Sequence, residues 1–343
     1  DKLVETVHNP RTHRYSASKG ISGLRKANSA YYLRRFNVEI DSDTETIVTL
    51  GSKEGLANLA SAITSPGDVI LVPNPSYPIH QFGFIIAGAS VRNLPVNPDG
   101  NYMKELEKAV IHSIPKPTAL VLNYPNNPTS AVATHEDLAA AVAYCREKDI
   151  ALLHDAAYSE VGYEGYRATS CMQVDGAKDV SLEFHSLSKT YNMTGWRIGM
   201  AVGNAEMIRA LFQIKANLDS GIPQAIQQMA IEALTGSQDC VDSNVEIYQR
   251  RRDRVIKALR TLGLTVDVPR ASLYIWARVP EGFTSAELAA RLLEETDIVV
   301  TPGSSYGQYG EGYIRLSLTT PDEQVEKGCQ RLESWKIPSP QGG

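Results

Sequence analysis

The sequence has little cysteine, and none of the spacings that give cysteine or histidine structural work. Its four cysteines, Cys145, Cys171, Cys240 and Cys329, lie far apart with no CxxC pair, which reads as free thiols in a reducing compartment. Seven histidines show no HxxxH or HExxH spacing, so no metal site is expected. No apolar run reaches the roughly 18 residues that a membrane span needs, and no signal peptide is visible. There is no block of like charges, and a net charge of -5 argues against nucleic acid and membrane surfaces as partners. The expected location is therefore the cytoplasm. The chain opens at Asp1 without an initiator methionine, so a further N-terminal piece, with any targeting signal, is expected.

What is present is ordinary in bulk and ordered in pattern. A chain of 343 residues is too long for one compact core, and 43% hydrophobic with 21% charged residues describes a soluble globular protein. Strand signals alternate with helix signals: "TIVTL" (46–50), "DVILVP" (68–73), "SVRNLPV" (90–96), "TALVLNYP" (118–125), "IALLHDAA" (150–157), "VSLEFHSL" (180–187) and "IGMAVG" (198–203). Apolar strands joined by helical crossovers predict an α/β fold with a mostly parallel sheet of seven strands sandwiched by helices. From about residue 222 a long helical stretch leaves this pattern. A smaller α+β unit then follows, with strands at "YIWARV" (274–279), "DIVVTP" (297–302) and "GYIRLSL" (312–318) around the helix "SAELAARLLEET". The expected division is residues 1–40 as a segment joining the small domain and a dimer contact, 41–240 as the large domain, and 241–343 as the small domain.

In open α/β sheets ligands bind beyond the carboxyl ends of the strands, and the polar residues here cluster at those ends. Gly51-Ser52-Lys53-Glu54-Gly55 follows the first strand and opens a helix whose N–H groups can hold an anion, although the spacing is not that of a P-loop. A plain turn capped by Ser52 is the simpler alternative. Asn126-Asn127-Pro128-Thr129 ends another strand and reads locally as a turn. Asp155 ends the run "IALLHD", where an acid needs a partner or a helix to cap, and Tyr158 stands three residues on. The densest stretch is "EFHSLSKTYNMTGWRIG" (183–199), with Ser186, Ser188, Lys189 and Arg197. A half-buried lysine among cations has a lowered pKa and becomes a nucleophile, and hydroxyls beside an arginine suit a phosphate. Amine, phosphate cradle and strand-end aspartate together suit pyridoxal phosphate.

These residues carry a resemblance over nearly the whole chain. "SLSKTYNMTGWRIG", with the intervals from Asn127 to Asp155, from Asp155 to Tyr158 and from Asp155 to Lys189, resembles the class I/II aminotransferases of the fold-type I pyridoxal-phosphate family. The resemblance implies pyridoxal 5'-phosphate as cofactor, an amino acid and a 2-oxo acid as substrates, and a homodimer. It implies that Lys189 forms the Schiff base and moves a proton, and that Asp155 holds the pyridine nitrogen. Asn127 and Tyr158 then bond the ring's 3′-oxygen, and Tyr77 of "NPSYPIH" stacks on the ring. Ser52, Lys53, Ser186 and Arg197 grip the phosphate, joined across the subunit interface by Tyr15 of "HRYSASKG". Arg315 of "GYIRLSL" clamps the substrate carboxylate, with Asn127 and Tyr77 beside it.

The chain departs from the family pattern at Ser130, where many members have glycine, and at Ser16, where proline is common. It also begins later than members with a further N-terminal arm. "GSKEGLANL", "HDAAYSE", "DSGIPQAIQ" and "TPGSSYGQYGEGYIRLSL" look most like the LL-diaminopimelate aminotransferase group, and share much with the alanine (glutamate–pyruvate) group. Candidate readers of the distal end of the substrate are Lys53, Glu54, Asn217 and Ser220. A pyridoxal-phosphate lyase, synthase or oxidase, and a non-catalytic protein on the same scaffold, are the alternatives from other classes.

Overall fold

The computed structural model describes residues 1–96 and 102–337. Seven strands, β1 (Thr46–Thr49), β2 (Val69–Asn74), β3 (Ser90–Pro95), β4 (Pro117–Asn123), β5 (Ala151–Asp155), β6 (Ser181–Ser186) and β7 (Gly199–Gly203), form one sheet in the order β1-β7-β6-β5-β4-β2-β3. Only β7 runs antiparallel to its neighbours. The central strands are buried on both faces, as their continuous apolar runs require. One face carries Leu120, Leu122 and Leu152, and the other Val121, Leu153 and Phe184, each in its own hydrophobic core. The expected mostly parallel seven-stranded sheet with helices on both sides is what the chain builds.

A second sheet, in the order β8-β10-β9, contains β8 (Tyr274–Arg278), β9 (Thr301–Pro302) and β10 (Tyr313–Ser317) around a separate core. The strand expected over "DIVVTP" shrinks to β9. The preceding helix ends with Asp297 in the left-handed region (φ 55), and Pro302 has no N–H for a ladder, so only an edge bridge to β10 remains. Helices at Ala205–Leu218 and Asp322–Ser334 were not among the expected elements.

Residues 1–40 are expected to join the small domain, but their long helix, Ser22–Phe36, packs on the large sheet. Leu24, Ala27, Tyr31 and Tyr32 bury one stripe of the helix Ser22–Phe36 in the core beneath β4, β5 and β7. The first helix, Lys2–Val7, packs against the helix Gln224–Thr235. A helix-period stripe says that a face is buried, and does not say against which sheet.

A buried polar cluster ties this N-terminal helix to the strands that carry the site. The Glu183 carboxylate accepts from Tyr32 Oη (2.8 Å), from Cys171 N (2.7 Å) and from Ser170. It also pairs with His154 Nδ1 at 2.8 Å and His185 Nε2 at 3.0 Å. Burial pushes this carboxyl up, but hydrogen bonds and charge from the two histidines outweigh that and hold it well below the usual range. His154 and His185 precede Asp155 and Ser186 in their strands. Because side chains alternate, a cluster that pins one face of β5 and β6 also orients the residues presented on the other.

Candidate active site

The carboxyl ends of β4, β5 and β6 meet the loop after β2 around a cavity of about 220 Å³, lined by Ser52, Lys53, Tyr77, Asn123, Asn127, Asp155, Ala157, Tyr158, Ser186, Ser188, Lys189, Thr194, Arg197 and Tyr274. β6 and β7 are antiparallel neighbours, so residues 187–198 turn back over one end of the sheet. This hairpin brings Lys189, on the one-turn helix Leu187–Thr190, to the same rim as Arg197. Burial, followed by the charge of Arg197, pushes the Lys189 amine below the usual lysine range, while Asp155 opposes the shift. A lysine that loses its proton more easily is a better nucleophile and base.

Arg197 has a left-handed backbone (φ 50) and donates from Nη2 to Leu50 O (3.3 Å) and from Nη1 to Thr194 O (3.0 Å). That places its guanidinium against Gly51, the N-cap of the helix Ser52–Ile63. Gly51 has φ 79 and no side chain capping the helix, and a Cβ there would lie 2.8 Å from Arg197 Nη2. Gly199 is held to glycine by a similar approach, since its Cβ would meet His185 O at 2.4 Å. The uncapped N–H groups of this helix, the Ser52, Ser186 and Ser188 hydroxyls and Arg197 make a compact anion cradle.

Asp155 ends β5 opposite Asn123 of β4, whose Nδ2 donates to Asp155 O at 2.7 Å. Its carboxylate is buried. Oδ2 pairs with His80 Nε2 at 3.0 Å, and Oδ1 has no partner among the described residues. A buried carboxylate oxygen without a donor is costly, and Asp155 lines the cavity, where a cationic donor would satisfy it.

Asn127 links the two sheets. Its Oδ1 accepts from Arg315 Nη1 (2.9 Å), its Nδ2 donates to Tyr158 Oη (3.3 Å), and Asn123 Oδ1 fixes its backbone N (2.9 Å). Arg315, on β10, lies over the Tyr274 and Tyr306 rings at 4.2 and 5.0 Å, and its buried Nε has no partner among the described residues. Tyr158 and Tyr274 bond through their hydroxyls at 2.9 Å. Burial raises the Tyr158 phenol well above the usual range, so it keeps its proton.

Residues 2–332 match the family described as aminotransferase class I and II. The chain belongs to that family. It is 52% identical over 335 residues to an LL-diaminopimelate aminotransferase of Dehalococcoides mccartyi, covering 98% of this chain and 86% of the relative. It is 44% identical over 337 residues to the glutamate-pyruvate aminotransferase AlaC of Escherichia coli, covering 97% and 82%. Among solved structures, substrate-bound BacF from Bacillus subtilis superposes with a TM-score of 0.92 at 35% identity, covering 97% of this chain and 85% of that one. The chain is an aminotransferase, and its substrates are an amino acid and a 2-oxo acid.

In this aminotransferase the residues expected to hold the cofactor, except Tyr15, line the cavity, and Arg315 reaches it through Asn127. Tyr15 is 90% exposed and stands apart. Of the four candidate distal readers only Lys53 lines the cavity, with its Nζ 5.9 Å from the Tyr77 ring. Glu54 is committed elsewhere: Oε1 pairs with the buried Lys215 at 2.8 Å, and Oε2 accepts from Leu50 N at 2.9 Å. Asn217 and Ser220 are exposed and outside the cavity. Sequence reasoning missed His80, Asn123 and Tyr274. His80 carries a weak local signal, since it follows Tyr77 by three residues and so can share its side of a turn; Tyr274 carries none. Ser130, where the family pattern has glycine, adopts φ 60, and its Oγ donates to Tyr274 O at 2.8 Å. That bond offsets the roughly 1 kcal/mol or more that the conformation costs a residue with a Cβ.

Proposed function

We propose that the cavity holds pyridoxal 5'-phosphate on Lys189, and that the enzyme moves an amino group from LL-diaminopimelate to 2-oxoglutarate. The observation that carries the cofactor assignment is the buried, half-partnered Asp155 carboxylate in the same cavity as a lysine of lowered pKa. When bound, the cofactor supplies an electron-withdrawing ring that accepts the electrons left as the substrate Cα–H bond breaks. Asp155 Oδ1 would accept a hydrogen bond from the protonated ring nitrogen, its missing donor, with His80 holding the other oxygen. Ser52 and Lys53 through their backbone N–H groups, with Ser186 and Arg197, hold the phosphate, and Tyr77 covers the ring. Asn127 and Tyr158 bond the 3′-oxygen. Lys189 would be the group placed to move the substrate Cα proton. Arg315, with Nε open, receives the substrate carboxylate. In this reading residues 41–240 carry the cofactor and 241–343 bring Arg315 over it.

The donor assignment rests on relatives 42–52% identical that bear the name LL-diaminopimelate aminotransferase. The 44% identity to a glutamate-pyruvate aminotransferase favours alanine as the second reading. A donor panel with 2-oxoglutarate decides between them. LL-diaminopimelate should give the highest kcat/KM of a set with alanine, aspartate and aromatic amino acids, and a higher value for alanine overturns the assignment.

Replacing Arg315 with lysine substitutes a point charge for a planar fork. The expected loss in kcat/KM is about 10-fold or more, equal for every α-amino acid donor because all share the carboxylate. A loss confined to one donor would mean that Arg315 reads the side chain.

The working unit in this reading is a homodimer, with Tyr15 donating to the phosphate of the neighbouring subunit. Its 90% exposure leaves the phenol free to do so. Tyr15→Phe and Lys189→Ala chains, mixed under subunit exchange, should regain activity above both parents, because one site of each mixed dimer is intact. An impaired Tyr15→Phe enzyme that mixing does not rescue removes the cross-subunit role.

A further inference from the structure

Tyr274 is the one residue of the second sheet that lines the cavity, and it touches both halves of the site. Its ring faces the Arg315 guanidinium at 4.2 Å, its hydroxyl meets Tyr158 Oη at 2.9 Å, and its backbone carbonyl is held by Ser130. A phenol has one proton to give and two lone pairs to receive with. Tyr158 already accepts from Asn127 Nδ2 at 3.3 Å. If Tyr158 donates to Tyr274, it has no proton left for the cavity. If Tyr274 donates to Tyr158, both lone pairs of Tyr158 are used and its own proton is free to point inward. Only the second arrangement lets Tyr158 donate to an anionic oxygen placed beside it.

We propose that Tyr274 is a positioning residue: it donates its phenolic proton to Tyr158, which frees the Tyr158 proton for the cofactor's 3′-oxygen, while its ring sets the plane of Arg315. This rests on the cofactor reading above. Two contributions then separate within one side chain. The hydroxyl acts on the cofactor through Tyr158, and the ring acts on the substrate carboxylate through Arg315.

Tyr274→Phe keeps the ring and its shape and removes only the proton. A donor to the 3′-oxygen stabilises its anion and weakens its hold on the proton shared with the Lys189 nitrogen. In Tyr274→Phe the Tyr158 O–H loses the bond that polarises it and donates more weakly to the 3′-oxygen, so the pH midpoint of the bound cofactor's absorbance change, read without substrate, should rise by on the order of half a pH unit. Tyr158→Phe should move it the same way, and the double variant should add nothing to Tyr158→Phe alone, because Tyr274 acts through Tyr158. For Tyr274→Phe kcat should fall several-fold with KM for the donor within about two-fold, whereas Tyr274→Leu should also raise KM, having lost the face against Arg315. An unmoved midpoint in Tyr274→Phe, or shifts that sum in the double variant, overturns the proposal. Borohydride labelling of the same preparation distinguishes the two levels. Label on Lys189 with an unmoved midpoint rejects the relay alone, and label on another lysine rejects the cofactor reading and the relay with it.

Discussion

Lys189→Ala should abolish transamination, with a fall in kcat of about 10³-fold or more, because it removes the nucleophile and the proton carrier together. Lys189→Arg should be as severe. It keeps a positive charge in the same rim, but a guanidinium gives up its proton far too reluctantly to act as a base near neutral pH. The amine is suited to both tasks by where it sits. Burial and Arg197 lower its pKa, so the neutral form is more available than in a solvated lysine. Borohydride reduction with peptide mapping should place the pyridoxyl group on Lys189 in the native chain. In Lys189→Ala, single-turnover mixing with donor should leave the cofactor spectrum unchanged on the native timescale. Near-native turnover in either variant, or label on another lysine, would sink the assignment.

Asp155→Ala should cost turnover far more than it costs cofactor binding. The phosphate cradle is built by the helix Ser52–Ile63 and the 187–198 hairpin, neither of which depends on the Asp155 carboxylate, so the cofactor still docks. What is lost is the anion that stabilises a protonated ring nitrogen, and with it the ring's capacity to accept electrons in the transition state. The expected result is a fall in kcat of about 10²-fold or more, with a dissociation constant for pyridoxal phosphate changed by less than about 10-fold. The variant also leaves His80 Nε2, now paired at 3.0 Å, without its acceptor. If Asp155→Ala turns over at a near-native rate, the residue only ends a strand. Asp155→Glu distinguishes charge from placement: it keeps the carboxylate but moves it by one methylene, and partial recovery is expected.

Much of the site was legible because its residues punctuate strands. Asn127, Asp155 and Ser186 stand just where an apolar run stops, and polar groups there face a ligand crevice or water. The Lys189–Arg197 pairing was visible as proximity in sequence, and the hairpin turned that proximity into one rim. His80 was not legible in its role. Its partner Asp155 is 75 residues away, and only the neighbouring placement of β2, β4 and β5 brings the two within 3.0 Å. Glu54 misled for a related reason. A glutamate opening a helix beside the cavity looks available to a substrate, yet Lys215, 161 residues on, already holds it.

By itself the sequence determined the number of strands in the main sheet, the helical crossovers and the strand-end polar residues, because side-chain periodicity and apolar run length are local properties of the chain. The same local signals, through the "SLSKTYNMTGWRIG" motif, determined the family. Only the tertiary structure decided that the N-terminal helix packs on the large sheet, that Arg315 reaches Asn127 across 188 residues, and that Tyr274 meets Tyr158 across 116. The last two contacts depend on how the second sheet is set against the first. No periodicity encodes that placement, because it is selected by the packing of two separate cores and by the pairing of buried polar groups that neither sheet satisfies alone.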